Sequence, residues 1–256
     1  MKKCKVISVT NQKGGVGKTT TAINLAAGIA SCFQNVLLID MDSQANATQG
    51  LGYSKKDARL SIYNVIMGEV PIKEAILQTS CDFLDIIPSS PHLNGAKVEL
   101  VNLENREYRL KEALDQIKSA YNYIIIDSPP SLDLLTLNAL TASDSTLIPI
   151  QCEYYALEGL GQLMNTLSKV KKNLNRTLEI EGVLLTMHDK RTSLSFSVID
   201  EVKKHFKSSV YKTIIPRNVR LAEAPSFGKP IFDYAPESSG AMAFTDFSRE
   251  FLFSND

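Results

Sequence analysis

Two short stretches carry residues able to do chemistry on a phosphate. The first is KGGVGKTT, residues 13–20, which follows the apolar run KVISV (5–9) and opens a helix-forming segment over 19–31. Glycines at 14, 15 and 17 let backbone N–H groups converge on anionic oxygens, and the helix start adds the positive end of its dipole. Lys18 can then reach terminal phosphates and the Thr19 hydroxyl can ligate Mg²⁺. The strict phosphate-loop pattern wants glycine five positions before Gly17; Gln12 stands there, and a second lysine, Lys13, heads the loop. The second stretch is a pair, VLLID and YIIID, whose apolar runs end in Asp40 and Asp127. In an open parallel sheet ligands gather at the carboxyl ends of strands, so both carboxylates belong beside the phosphate loop, where Mg²⁺ would sit.

The elements that must position these groups follow from periodicity. Apolar, β-rich runs at 5–9, 36–40, 83–87, 123–127, 145–150, 182–186 and 211–215 alternate with helix-period segments at 19–31, 106–120, 156–172 and 193–206, and a short helix is expected at the C-terminal end. Alternation of strand and helix predicts an α/β fold with a mostly parallel sheet flanked by helices on both faces. The continuous apolarity of the strands agrees, because such a sheet is covered twice. The 256 residues, 44% of them hydrophobic, suit one domain over 1–256. The balance of 28 basic against 28 acidic side chains argues against indiscriminate coating of nucleic acid. No segment approaches ~18 uninterrupted apolar residues and the amino-terminal apolar run is too short for a signal peptide, so a cytoplasmic protein is expected. Cys4, Cys32, Cys81 and Cys152 are scattered and three histidines accompany them, which suggests neither a disulfide framework nor a metal cluster.

KGGVGKTT resembles the deviant Walker A motif, and the chain resembles the ParA/Soj group of partition ATPases, which share the P-loop NTPase fold. QCEYYALEGL (151–160), LLTMHDKRT (184–192) and IPRNVRLAEAPSFGKPI (215–231) extend that resemblance over essentially the whole chain. The resemblance implies an ATPase binding ATP through Lys13, Gly14, Gly15, Val16, Gly17, Lys18, Thr19 and Thr20, with Lys13 crossing to the partner's nucleotide in an ATP-bound sandwich homodimer. It likens Asp127 in IIIDSPPS to the Walker B aspartate that holds Mg²⁺ with Thr19, and Asp40 stands beside it. Asp42 in DMDSQANAT resembles the aspartate that positions attacking water, so Lys13, Lys18 and Asp42 form the catalytic set. The usual spelling has Pro after that aspartate, whereas Ser43 stands here, which loosens the loop. Pro216 and Asn218 match residues lying against adenine, with Met187 and Asp189 in a second loop near the base.

Charge is segregated: residues 163–230 hold thirteen Lys and Arg against six Asp and Glu. Taken alone such runs are solvated helix faces, but Arg191 and Arg220 match arginines that the family uses for non-specific DNA contact. The implied activity is an ATP-dependent DNA-segregation switch, nucleoid-associated, whose slow hydrolysis is stimulated by a ParB/Spo0J-type centromere-binding partner. Relatives that cycle on membranes to position division sites are the alternative; they carry a basic amphipathic C-terminal helix, and this tail holds only Arg249 among several acids. A cluster-bearing electron-transfer ATPase would need paired cysteines, and a small-molecule synthetase on the same scaffold would not need the two arginines.

Overall fold

The computed structural model describes residues 4–54, 59–153 and 160–255. Its strands, numbered in chain order, are β1 (Lys5–Val9), β2 (Val36–Asp40), β3 (Leu77–Gln78), β4 (Leu84–Ile87), β5 (Tyr123–Asp127), β6 (Ser145–Gln151), β7 (Glu179–His188) and β8 (Val210–Pro216). They join one sheet in the order β3, β4, β2, β5, β1, β6, β7, β8, parallel except for the β3 edge, which runs antiparallel to β4.

Alternate residues of each central strand feed opposite faces, the period-2 geometry of a pleated sheet. Ile7, Val9, Val36, Leu38, Tyr123 and Ile125 face one layer. That layer is built by α1 (Lys18–Ala30), α2 (Asn46–Gly50), α9 (Val219–Glu223), α10 (Ile231–Tyr234) and α11 (Ser239–Ser254), the helices again numbered in chain order. Val6, Leu37, Ile39, Ile124 and Ile126 face the other. There the cover is α3 (Ile62–Met67), α4 (Leu93–Glu99), α5 (Arg109–Leu114) and α6 (Leu134–Ala142), continued over β6 and β7 by α7 (Leu160–Asn173) and α8 (Ser193–Phe206). Helix α1 is buried along nearly its whole length because α11 packs across it. A Cβ at Gly28 would stand 2.1 Å from the Ser248 hydroxyl of α11, so only glycine permits that approach.

Seven of the eight strands lie where apolar runs place them; the two-residue β3 offers no such run. The helix expected over 106–120 is shorter, α5 with a separate 3₁₀ turn at Lys118–Ala120. Helices α3, α4 and α6 were not expected from periodicity, and the C-terminal helix is longer than expected, sixteen residues. The first residues of the expected 156–172 helix, and most of QCEYYALEGL, lie outside the described residues.

Candidate nucleotide-binding and hydrolytic site

The register sets the site. Val9 of β1 and Asp40 of β2 are both direct neighbours of Asp127 at the end of β5, so the phosphate loop and two carboxylates emerge side by side from three adjacent strands. Gly15 (φ 74°) and Gly17 (φ 86°) take left-handed backbone conformations that L side chains resist, and Gly17 delivers the chain into α1. The first turn of α1 has neither a side-chain cap nor an acid, which leaves its N–H groups and dipole available to an anion. The loop is braced from outside: the Asn11 amide accepts from the Lys13 N–H (3.0 Å) and donates to the Pro149 carbonyl (2.7 Å), and the Thr186 hydroxyl donates to the Val16 carbonyl (2.9 Å).

The Lys18 ammonium donates to the Lys13 carbonyl at 3.0 Å, folded back over its own loop. Burial lowers its pKa, while Asp127 and Asp42 oppose that by favouring the charged form. Asp127 is fully buried and neither of its carboxylate oxygens has a hydrogen-bond partner. Burial first, then the charge of Asp40, pushes its pKa well up, and the nearness of Thr19 and Lys18 offsets only part. A buried, unpartnered carboxylate is costly unless a cation completes it. Asp127 therefore fits Mg²⁺, with Thr19 beside it. Mg²⁺ keeps water and phosphate oxygens as most of its ligands, so one or two protein oxygens suffice to hold it.

Asp40 is the opposite case. It is equally buried, yet its Oδ2 accepts from the Thr48 N–H (2.8 Å) and hydroxyl (2.7 Å), and its Oδ1 accepts from the Asp42 N–H (3.1 Å). Those bonds leave an unused lone pair on Oδ1 alone, so the expected metal role has little to work with. Burial raises its pKa to about 6 against the pull of the Thr48 and Asp42 donors. Asp42 is half-buried, its Oδ1 accepting from the Gln44 N–H at 2.9 Å. Ser43 donates to Asn94 of α4 at 2.8 Å, so the position expected to loosen the loop carries a tether.

Beyond Gly17 a cavity of about 200 Å³ opens between the loop and the ends of β7 and β8, lined by Thr20, Met187, Ile215, Pro216 and Asn218 among others. Met187 adopts φ 54°, which turns the chain at the cavity wall. Asn218 lines it too, but most of its amide is committed: Oδ1 caps α9 by accepting from the Arg220 N–H (2.8 Å), and one Nδ2 hydrogen goes to the Ser239 hydroxyl (2.8 Å). Asp189 does not line the cavity; it holds Arg191.

A family model described as an AAA domain matches residues 4–180. The sporulation initiation inhibitor protein Soj of Bacillus subtilis is 57% identical over 246 residues, covering 96% of this chain and 97% of that protein. The chromosome partitioning protein ParA of Myxococcus xanthus is 52% identical, covering 97% and 88%. The chain belongs to the ParA/Soj family. Among solved structures, cobyrinic acid a,c-diamide synthase from Mycobacterium smegmatis with bound ADP and magnesium superposes with a TM-score of 0.86 at 34% identity, covering 98% of this chain and 94% of that one. The P-loop scaffold of this ParA/Soj protein is thus shared with a small-molecule synthetase, and fold alone does not separate the two activities.

Both arginines singled out in this ParA/Soj chain are exposed and locally paired. Arg191 grips Asp189 in bidentate fashion (2.9 and 2.7 Å), and Arg220 pairs with Glu223 at 2.8 Å. These contacts hold the Asp189 and Glu223 carboxyls below their ordinary pKa. Among the described residues no helix is long and apolar enough to cross a membrane. Sequence patterns missed Thr48, Thr186 and Asn11, whose partners lie on other elements or outside any motif.

Proposed function

We propose that this chain is an ATP-hydrolysing DNA-segregation switch. Asp127 carries the reading: a fully buried carboxylate with no hydrogen bond of ordinary geometry, set beside Thr19, the uncapped start of α1 and the folded-back Lys18, suits a cation bound to a polyphosphate. ATP enters with its phosphates on residues 13–20 and its base in the cavity against Met187 and Pro216. Asn218 shapes that wall and offers the base one spare N–H, and Asp189 acts on it only through the loop it anchors. Lys18 leaves the Lys13 carbonyl to pair with phosphate oxygens, and Asp42 orients the attacking water and takes up its proton. Thr19 and Asp127 would hold Mg²⁺, which when bound neutralises phosphate charge. Lys13, at the loop's head, reaches the nucleotide of a second copy, so ATP joins two chains into a sandwich dimer.

Dimerisation sets two pairs of Arg191 and Arg220 side by side, and avidity turns weak phosphate contacts into useful DNA binding. Hydrolysis, stimulated by a ParB/Spo0J-type partner, dissolves the dimer and releases DNA on the nucleoid. Full-length identity to Soj and ParA supports this reading over the synthetase and the membrane-cycling alternatives. The test is binding of the Asp42→Ala protein to non-specific duplex DNA with ATP and with ADP at two salt concentrations, with oligomeric state followed by light scattering. A salt-sensitive dimer that binds DNA with ATP and not with ADP is expected; an ATP-bound dimer indifferent to DNA overturns the segregation reading.

A further inference from the structure

We propose that Thr48 is a positioning residue for hydrolysis, and that Asp40 is the strut through which it acts rather than a ligand of magnesium. The inference rests on the ATPase reading above. A chain of hydrogen bonds links the segments after β2 and β4 and helix α2 to one buried carboxylate, Asp40. The Ser89 N–H, just past β4, donates to the Thr48 hydroxyl at 2.9 Å. That hydroxyl, its oxygen engaged as acceptor, directs its single proton to Asp40 Oδ2, where the Thr48 N–H also donates. Asp40 Oδ1 then receives the Asp42 N–H.

The loop of residues 41–47 is therefore stapled at both ends to the same side chain. Inside it the Asp42 carbonyl accepts from the Ala45 N–H at 2.8 Å, and Ala45 takes φ 55° to close the turn. Thr48 and Asp40 are both 0% exposed, so water cannot substitute for a lost donor. The position of the Asp42 carboxylate near Lys18 and Asp127 thus depends on a hydroxyl eight residues beyond Asp40, one that among the described residues engages only Asp40 and the Ser89 N–H. Asp127, by contrast, makes no hydrogen bond of ordinary geometry and has only the Thr19 hydroxyl and Lys18 close by, so its oxygens are the ones open to a cation.

Thr48→Val keeps the shape and the backbone bond, removes one donor from Asp40, and strands the Ser89 N–H. Thr48→Ser restores the hydroxyl, and Thr48→Cys, a weaker donor, provides a graded step between them. The expected result is a fall of about tenfold or more in kcat for ATP hydrolysis by Thr48→Val. The KM for ATP and the Mg²⁺ concentration giving half-maximal activity stay within about twofold, because a positioning group acts on the reacting geometry rather than on ground-state binding. In nucleotide-free protein, amide hydrogen exchange over residues 41–45 accelerates in Thr48→Val and returns towards the original rate in Thr48→Ser, with Thr48→Cys between.

Unchanged rate and unchanged exchange in Thr48→Val overturn the proposal. So does a loss of Mg²⁺ dependence equal to the loss of rate, which would make Asp40 a metal ligand, or a failure of Thr48→Ser to recover activity. If the original protein itself does not hydrolyse ATP, the ATPase reading fails, and exchange over 41–45 still decides whether the strut exists.

Discussion

Asp40 and Asp127 have the same residue type, the same place at a strand end, and the same burial, and the chain treats them in opposite ways. Asp40 is satisfied by three donors, whereas Asp127 has only the Thr19 hydroxyl and the Lys18 charge nearby, its ionisation resisted by burial and by Asp40. A group whose charged form is disfavoured in the folded state lowers stability at neutral pH, and active sites retain such groups because function needs them. Asp127→Asn should therefore stabilise the nucleotide-free protein at pH 7.5 by about 1 kcal/mol or more, read as a rise of roughly 2–4 °C in the midpoint of thermal unfolding. The same substitution should cost at least about 100-fold in Mg²⁺-dependent hydrolysis, because it removes the cation's carboxylate. A midpoint that falls in Asp127→Asn would show that the carboxylate is satisfied in solution.

Helix α6 shows how an element is fixed and why it escaped the sequence. Its LLTLNALTA is apolar on nearly every side, so no 3.6-residue alternation marks it, and it is buried between α5 and the sheet. Its start is set instead by Asp133, which accepts from the Leu135 N–H (3.0 Å), the Ser131 hydroxyl (2.8 Å) and the Lys97 ammonium (2.8 Å). Partial burial opposes ionisation of Asp133, but the Lys97 and Ser131 hydrogen bonds, the Lys97 charge and the Leu135 amide outweigh it and hold its pKa below the ordinary 3.8.

The stabilisation from that ionised cap is complete above the unfolded value and is lost as pH falls through the lower folded one. Asp133→Ala should cost about 1 kcal/mol at pH 7, or ~2–4 °C. The gap from the original protein should narrow as pH falls below 3.8 and through the lowered folded value, where the carboxyl becomes protonated in both states; a gap that does not change with pH would assign the cost to packing. Strands β1, β2, β5 and β6 were legible because a sheet covered on both faces writes continuous apolar runs. The phosphate loop was legible because its residues are consecutive. Thr48, eight residues from Asp40 and on another element, was not, since a link between elements leaves no local pattern.

At the scale of the whole molecule, charge balance conceals a division of labour. Basic side chains outnumber acidic ones by thirteen to six over residues 163–230, but the two arginines implicated in DNA contact are each held by a neighbouring acid at the surface. Exposed pairs of this kind contribute little, so a DNA phosphate can displace Asp189 or Glu223 at small cost. In the proposed switch a lone protomer offers only one such pair of arginines, whereas two protomers joined through ATP would present both pairs together. In the proposed switch, Arg191→Ala combined with Arg220→Ala removes two contacts per chain and four per dimer. Each phosphate contact contributes about 0.9 to the slope of log affinity against log salt, so the slope should fall by up to about 4 and affinity at low salt should collapse. The ATP-bound dimer should persist unchanged by light scattering, because neither arginine belongs to the phosphate loop or to Lys13. A double variant that retains the original salt slope would move the DNA surface elsewhere, towards the exposed Lys171 and Lys172 at the end of α7 and Lys203 and Lys207 at and just past the end of α8.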